Sequence, residues 1–425
     1  VKRLLQLDLA VKTWALVRRY RPRIVAVTGS VGKTATKDAI ALALSGRVNV
    51  RATKGNYNNE IGVPLTLIGR ESPGRSLLGW LGLLLYSDWL ILKRRPDYPK
   101  VMVLEYGSDK PGDIDALCRL VPPNVSVVTA ASAAHTEAFG SVQAVAKEKG
   151  QLVANLPSSG TAVLNADEPY VLGMRAKTAA RVLTYGFSPA ANVRIMSATF
   201  TGTLTPEQSV GLRATVSWAG EEVTQEFPAL VAAYQLGSVA AAVAVASTFR
   251  ISLGDALAAL SNYRPPKGRM NLLRGVNQSW LLDDSYNSSP LAAQRALETL
   301  VAVPGPTRRI AVFGEMAELG ELSEEAHREL GTRAAVGVDL LVGVGEPARN
   351  ILRGAIDAGL AETKTAYFAT AEEAGEFLRA QVRSGDVVLV KGSQVARTEH
   401  VVKMLLAEPD RAAELLVRQG PEWTK

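Results

Sequence analysis

Cysteine is nearly missing from this chain: Cys118 is the single one among 425 residues. An internal disulfide is excluded, no metal site can rest on thiolates, and the composition fits a reducing cytoplasm. Histidine is almost as scarce, at positions 135, 327 and 400 only. No run of basic residues is interleaved with aromatics, which argues against a nucleic-acid partner despite the net charge of +7. Diffuse charge of that sign suits nucleotides or an anionic membrane face. No apolar stretch reaches the ~20 residues of a membrane-spanning helix. The best candidate, Leu77–Leu92, has 16 residues, is interrupted by Asp88 and is flanked by Arg75 and Lys93-Arg94-Arg95. It predicts a buried or interfacial helix. Repeats and low-complexity tracts are also absent. At 47% apolar and 21% charged, the chain has an ordinary globular composition, and its length predicts two or three domains.

What is present is a phosphate loop. Ile24, Val25, Ala26 and Val27 read as a buried parallel strand, followed by Thr28-Gly29-Ser30-Val31-Gly32-Lys33-Thr34. Gly29 and Gly32 allow a tight turn with no Cβ to block a phosphate. Ala39, Ile40, Leu42 and Leu44 then fall on a helical period that stops at Gly46. Strand, turn and helix N-terminus aim backbone N–H groups, Ser30 included, at one anion. Lys33 adds a charge for the outer phosphates and Thr34 a hydroxyl for Mg²⁺. Val27 stands where the general pattern has its first glycine, so the motif is the shorter Gly-Ser-x-Gly-Lys-Thr. A nucleoside triphosphate site is expected.

Residues 1–20 predict an amphipathic helix with Leu4, Leu5, Leu7, Val11, Trp14 and Val17 on its apolar side, ended by Pro22. It reads equally as a helix packed on the first domain or as an interfacial anchor. The chain opens on Val1 rather than methionine, which predicts that something precedes it. Thr53–Pro64 is a loop with Asn56, Asn58 and Asn59, amides dense enough to order a ligand or one another. Val101–Glu105 predicts a strand ending on a carboxylate, a candidate Mg²⁺ ligand because ligands sit at the carboxyl ends of such strands. Asp113 lies in the following loop. His135, just past the strand Val125–Thr129, is a candidate metal ligand, and Lys147 and Lys149 lie on the next helix. Residues 193–227 suggest a short antiparallel annex, and an alanine-rich helix is expected at about 232–249. Tyr263–Arg269, with Pro265, Pro266 and Gly268, reads as the linker. Beyond it, strands at Trp280–Asp283, Arg309–Phe313, Leu340–Val344 and Val387–Val390 alternate with helices, which means a second doubly wound sheet. The expected divisions are 1–21, 22–264 and 265–425.

Six motifs in one order carry a resemblance: residues 28–34, Gly55–Pro64, Ala134–Ser141, Asp283–Asn287, Gly314–Gly320 and Lys391–Ser393. Together they resemble the Mur ligases, most of all the members that add D-alanyl-D-alanine. The resemblance runs from about residue 22 to 405. It implies an α/β fold with a P-loop-type ATP-binding central domain and a Rossmann-like C-terminal domain. It also implies the chemistry: ATP phosphorylates a carboxylate, and an amine attacks the acyl phosphate to give an amide, ADP and phosphate. The implied cofactors are ATP and Mg²⁺, and the implied partners are a muramyl-peptide precursor and an amino acid or dipeptide. Lys33 and Thr34 match the phosphate and Mg²⁺ residues, with Glu105 on the same ion. His135 resembles the ligand of a second Mg²⁺, and Lys149 the lysine carried as a carbamate, with Lys147 the neighbouring alternative. Arg269 and Asp284 match linker and ribose-side contacts. Asn56, Asn58, Asn59, Lys391 and Ser393 are expected on this resemblance to face substrate. Three departures stand out. About 22 residues precede the loop where the family has a domain gripping UDP; Tyr234-Gln235 replaces a His-Asn near the adenine; Gln394 replaces an arginine. Alternatives are a ligase for a lipid-linked or polyglutamate-like acceptor, and a nucleotide-gated membrane scaffold. Peripheral membrane contact falls to residues 1–20 or 77–92.

Overall fold

The computed structural model of the chain describes residues 2–133, 136–420 and 423. Ile24–Val27 form a strand because four consecutive apolar side chains need a sheet covered on both faces, and each is at most 1% exposed. This strand, β1 (Arg23–Thr28), lies inside a nine-stranded sheet. Its order is β2 (Val50–Ala52), β3 (Val101–Glu105), β1, β4 (Val125–Val128), β5 (Thr161–Asn165), β6 (Arg181–Gly186), β7 (Val193–Phe200), β8 (Leu212–Trp218) and β9 (Glu221–Phe227). Pairing is parallel from β2 to β7 and antiparallel from β7 to β9. The expected annex is therefore the continuation of the main sheet, joined through Tyr185 and Gly186 of β6. One face is covered by the helices Lys33–Ser45 and Leu236–Ser247. The run of alanines at 240–242, 244 and 246 lets these two approach closely, and Thr36 Oγ1 meets Ser238 Oγ at 3.0 Å. The alanine-rich helix starts later than expected, because residues 233–235 form a 3₁₀ turn.

The second sheet runs β10 (Asn271–Arg274), β11 (Trp280–Asp284), β15 (Asp386–Lys391), β12 (Arg308–Gly314), β13 (Leu340–Val344), β14 (Thr365–Phe368). All pairs are parallel except the edge strand β10, which the sequence reading missed along with β2 and β14. Register matters here: Asp284 and Lys391 are direct partners at the carboxyl ends of β11 and β15. The ends of both sheets face a shared cleft, lined from Thr34 on one side to Asp284 and Lys391 on the other.

The N-terminal helix, Lys2–Tyr20, corrects the expectation for its faces. Leu9, Lys12, Thr13 and Leu16 are buried, whereas Leu4, Leu7, Val11 and Trp14 are 57–71% exposed. Apolar residues surround this helix, so the partner chose the face. That partner is a small cluster of Leu65, Ile68, Leu83 and Leu90, shared with the helix Leu77–Leu92. In the latter helix only Leu83, Ser87 and Leu90 are buried. Among the described residues no helix is long and apolar enough to cross a membrane.

Candidate functional site

The phosphate loop is shaped by what surrounds it. A Cβ on Gly29 would lie 2.0 Å from Thr129 Oγ1, so only glycine fits there. Gly32 takes φ +82° and opens the helix Lys33–Ser45, a left-handed conformation that glycine adopts without strain. The loop is strapped to the end of β4: Ser30 N donates to Ala130 O at 2.8 Å, and Thr129 Oγ1 donates to Val31 O at 2.5 Å. Lys33 Nζ folds back onto Gly29 O at 2.8 Å. Desolvation lowers its pKa, Glu105 and Asp109 oppose that, and Arg269 adds to it.

Glu105 at the end of β3 is 2% exposed and uses both carboxylate oxygens. Oε2 accepts from Thr34 Oγ1 at 2.8 Å and Oε1 from Asn58 Nδ2 at 3.0 Å. A hydroxyl and a carboxylate in contact at the foot of a glycine loop are groups that could hold a Mg²⁺ ion beside a triphosphate. Among the described residues no group of three or more His, Cys, Asp or Glu could hold a metal. The remaining oxygens for an ion here are phosphate and water, which Mg²⁺ retains readily. The three asparagines divide their tasks. Asn58 orients Glu105, Asn56 lines the open space beyond it, and Asn59 Oδ1 accepts from the N–H groups of Ile61 and Gly62 at the start of the helix Gly62–Ile68.

Lys149 lies on the helix Val142–Ala154 and is 2% exposed, while Lys147 on the same helix faces solvent. The Lys149 ammonium donates to Ser108 Oγ. Burial, then the like charge of Lys33, pushes its pKa down to about 7 against the pull of Glu148, Asp109 and Asp113. Glu148 is committed elsewhere: its oxygens accept from Gly112 N at 2.9 Å and Ile114 N at 2.8 Å, at the start of the helix Asp113–Leu120. Asp113 accepts from the N–H groups of Asp109 and Lys110 and so shapes the loop. His135 lies outside the described residues.

Across the cleft, Lys391 Nζ donates to Asp284 Oδ2 at 2.6 Å and to Asn287 O at 2.9 Å. Burial raises the Asp284 pKa and lowers that of Lys391, and their mutual attraction opposes both shifts. Gln235 spends its whole amide on backbone groups: Oε1 accepts from Val231 N and Ala232 N, and Nε2 donates to Arg269 O at the end of the linker and to Met270 O. Arg269 in turn stacks on Tyr286, its guanidinium 4.1 Å from the ring centre. The amide expected near an adenine thus ties the two sheets together at the edge of the cleft.

Two spaces meet at the loop. The first, about 850 Å³, has Gly32, Thr34, Gln235, Arg269, Asp284 and Lys391 in its wall. The second, about 1240 Å³, is bounded by Ser30, Lys33, Asn56, Asn58, Glu105 and Ser393. Of the expected residues, Gly29, Asn59 and Lys149 line neither. Sequence reasoning missed Asn165, Tyr185 and Arg295 in the first wall, where Tyr234 stands beside Gln235. Asn165 ends β5 and donates to Thr129 O at 2.9 Å, so the strand-end argument used for Glu105 could have found it. Arg295 reaches Glu168 at 2.6 Å from a helix of the other sheet, and no local signal marks it.

Comparison with known proteins agrees with this geometry. Residues 27–72 and 90–246 match the Mur ligase middle domain, and residues 268–394 match the Mur ligase glutamate ligase domain. The chain is 33% identical over 395 residues to the UDP-N-acetylmuramoyl-tripeptide–D-alanyl-D-alanine ligase of Escherichia coli (strain K12), covering 92% of this chain and 78% of that one. The enzyme of the same name from Mycobacterium tuberculosis (strain ATCC 25618 / H37Rv) is 32% identical over 407 residues, 91% of this chain and 73% of that one. The crystal structure of MurF ligase from Thermotoga maritima in complex with ADP superposes with a TM-score of 0.76 at 25% identity, covering 96% of this chain and 84% of that one. With a phosphate loop, a hydroxyl–carboxylate pair and two sheets closing on one cleft in the family's order, this chain belongs to the Mur ligase family.

Proposed function

We propose that the protein is an ATP-dependent, Mg²⁺-requiring ligase that joins D-alanyl-D-alanine, or a similar amino acid or dipeptide, to the peptide carboxylate of a UDP-N-acetylmuramoyl-tripeptide-like precursor. The observation that carries this is Thr34, which lines both spaces and donates to Glu105 in the wall of the second, where Lys33 also lies. A triphosphate entering from the first would present its outer phosphate to a carboxylate held in the second. Lys33 and Thr34 hold the phosphates, and Glu105, fixed by Asn58, completes the ion's protein contacts. Bound Mg²⁺ supplies charge neutralisation on the transferring phosphoryl group. Asp284 and Lys391 border the nucleoside, while Asn56 and Ser393 face the acceptor and amine. Lys149 serves as a carbamate, since its lowered pKa favours the neutral amine that reacts with CO₂. His135 completes the second ion's ligands in this reading. The reaction is assigned to the cytoplasm, at or near a membrane surface. The test is phosphate release from ATP with the muramyl-tripeptide precursor and D-alanyl-D-alanine supplied singly and together. Release only with both is expected; release independent of either one overturns the reading.

A further inference from the structure

The exposed faces of the two helices Lys2–Tyr20 and Leu77–Leu92 have no role in this chemistry. Leu4, Leu7, Val11 and Trp14 form one stripe, and Leu78, Leu81, Leu85 and Leu92 form another, all at least 54% exposed. The helices lie side by side, with Lys12 bonded to Asp88 at 2.5 Å and Tyr20 OH to Leu90 O at 2.7 Å. Both rest on one small apolar cluster, and their stripes point away from it. Together the stripes expose on the order of 1,000 Å² of apolar surface, more than a monomer ordinarily leaves in water.

We propose that this helix pair docks on an anionic lipid bilayer. Charge selects lipid over a second copy of the chain. Residues 1–21 and 70–97 hold eleven Lys and Arg against four Asp and Glu, which accounts for the whole net +7 of the protein. A twofold self-contact would press that charge against itself, whereas anionic headgroups attract it. Lys12 pairs with Asp88 at 2.5 Å and with Asp8 at 3.8 Å, so both carboxylates are offset where the helices meet. The aromatic residues fit the same partner. The Arg18 guanidinium sits 5.2 Å from the ring of exposed Trp14, and that of Arg95 5.4 Å from Trp89. A tryptophan beside a cation suits the boundary between headgroups and acyl chains. Each stripe is only ~15–20 Å long, so the pair lies along a bilayer rather than across it. The middle-domain match breaks off at residue 72 and resumes at 90, so most of Leu77–Leu92 lies outside the part of the chain that matches the family pattern. Its place is informative: Tyr57 and Ile61, which bracket Asn58, pack on the same cluster, so a bilayer here lies one helix layer from the acceptor side.

The inference stands on this surface and not on the ligase reading, so the two are tested apart. The purified chain is floated with vesicles of phosphatidylcholine alone or mixed with phosphatidylglycerol, at low and at moderate salt. Binding to the anionic vesicles at least tenfold tighter than to neutral ones, weakened by salt, is expected. Leu81→Glu/Leu85→Glu should lose at least tenfold of that binding, and Arg18→Ser/Arg19→Ser/Lys93→Ser/Arg94→Ser should erase the preference for anionic lipid. Both variants should melt cooperatively and keep wild-type nucleotide turnover in solution. An unbound wild type, or Leu81→Glu/Leu85→Glu binding as tightly as wild type, overturns the proposal. So does a dimer in light scattering that this variant dissociates while vesicles bind nothing, which would give the face to a second copy.

Discussion

Lys149→Met removes an ammonium that the fold buries beside Ser108 while keeping most of the side chain's length. With a folded pKa of about 7, roughly three quarters of Lys149 is neutral at pH 7.5, against about 0.1% of an ordinary lysine. Because the folded value is depressed, the protonated form is penalised by folding. That penalty is fully present below about pH 7 and is relieved as pH rises from there toward the ordinary lysine value. Methionine abolishes it. Lys149→Met should therefore be more stable than wild type in urea at pH 6, and the gap should narrow by about 1–3 kcal/mol by pH 9. An unchanging gap between those pH values would refute a depressed pKa. The same neutral amine should matter for turnover. Lys149→Ala should be inactive and regain part of its activity with a short carboxylic acid, bicarbonate depletion should slow the wild type, and exposed Lys147→Ala should behave normally. Full activity of Lys149→Ala would end the carbamate assignment.

Lys33→Ala should abolish nucleotide turnover and leave cooperative urea unfolding intact, since among the described residues Lys33 bonds only the loop's own Gly29 carbonyl. Glu105→Gln should keep the Asn58 and Thr34 contacts in part but lower Mg²⁺-dependent turnover by about a hundredfold, measured as phosphate release across a Mg²⁺ titration; a near-wild-type rate would remove Glu105 from the ion. Gln235→Ala leaves the buried N–H groups of Val231 and Ala232 without their acceptor, so it should cost about 2–4 kcal/mol in unfolding and raise the KM for ATP through a loosened linker. A stable variant with an unchanged KM would show that the tie is dispensable.

The phosphate loop was legible because its requirements are local. An apolar strand, glycines at two conformationally demanding positions and a helix period all lie within about twenty residues, and each constrains the others. The same holds for Glu105, where a strand pattern ends on a carboxylate, and for the alternation that announced the second sheet. What the sequence could not decide was which side of an element meets which partner. Gln235 reads as a ligand amide in its motif, yet its bonds go to Val231, Ala232, Arg269 and Met270, a choice made by the approach of the two sheets. Asn59 looks like Asn56 and Asn58 but serves a helix start. Arg295 joins the cleft from a distant helix through Glu168. The N-terminal helix shows the reason most plainly: with apolar residues around its whole circumference, periodicity names a helix but no face. Only the cluster around Leu65 and Leu83 set Leu9 and Leu16 inside and left Leu4, Leu7, Val11 and Trp14 in water.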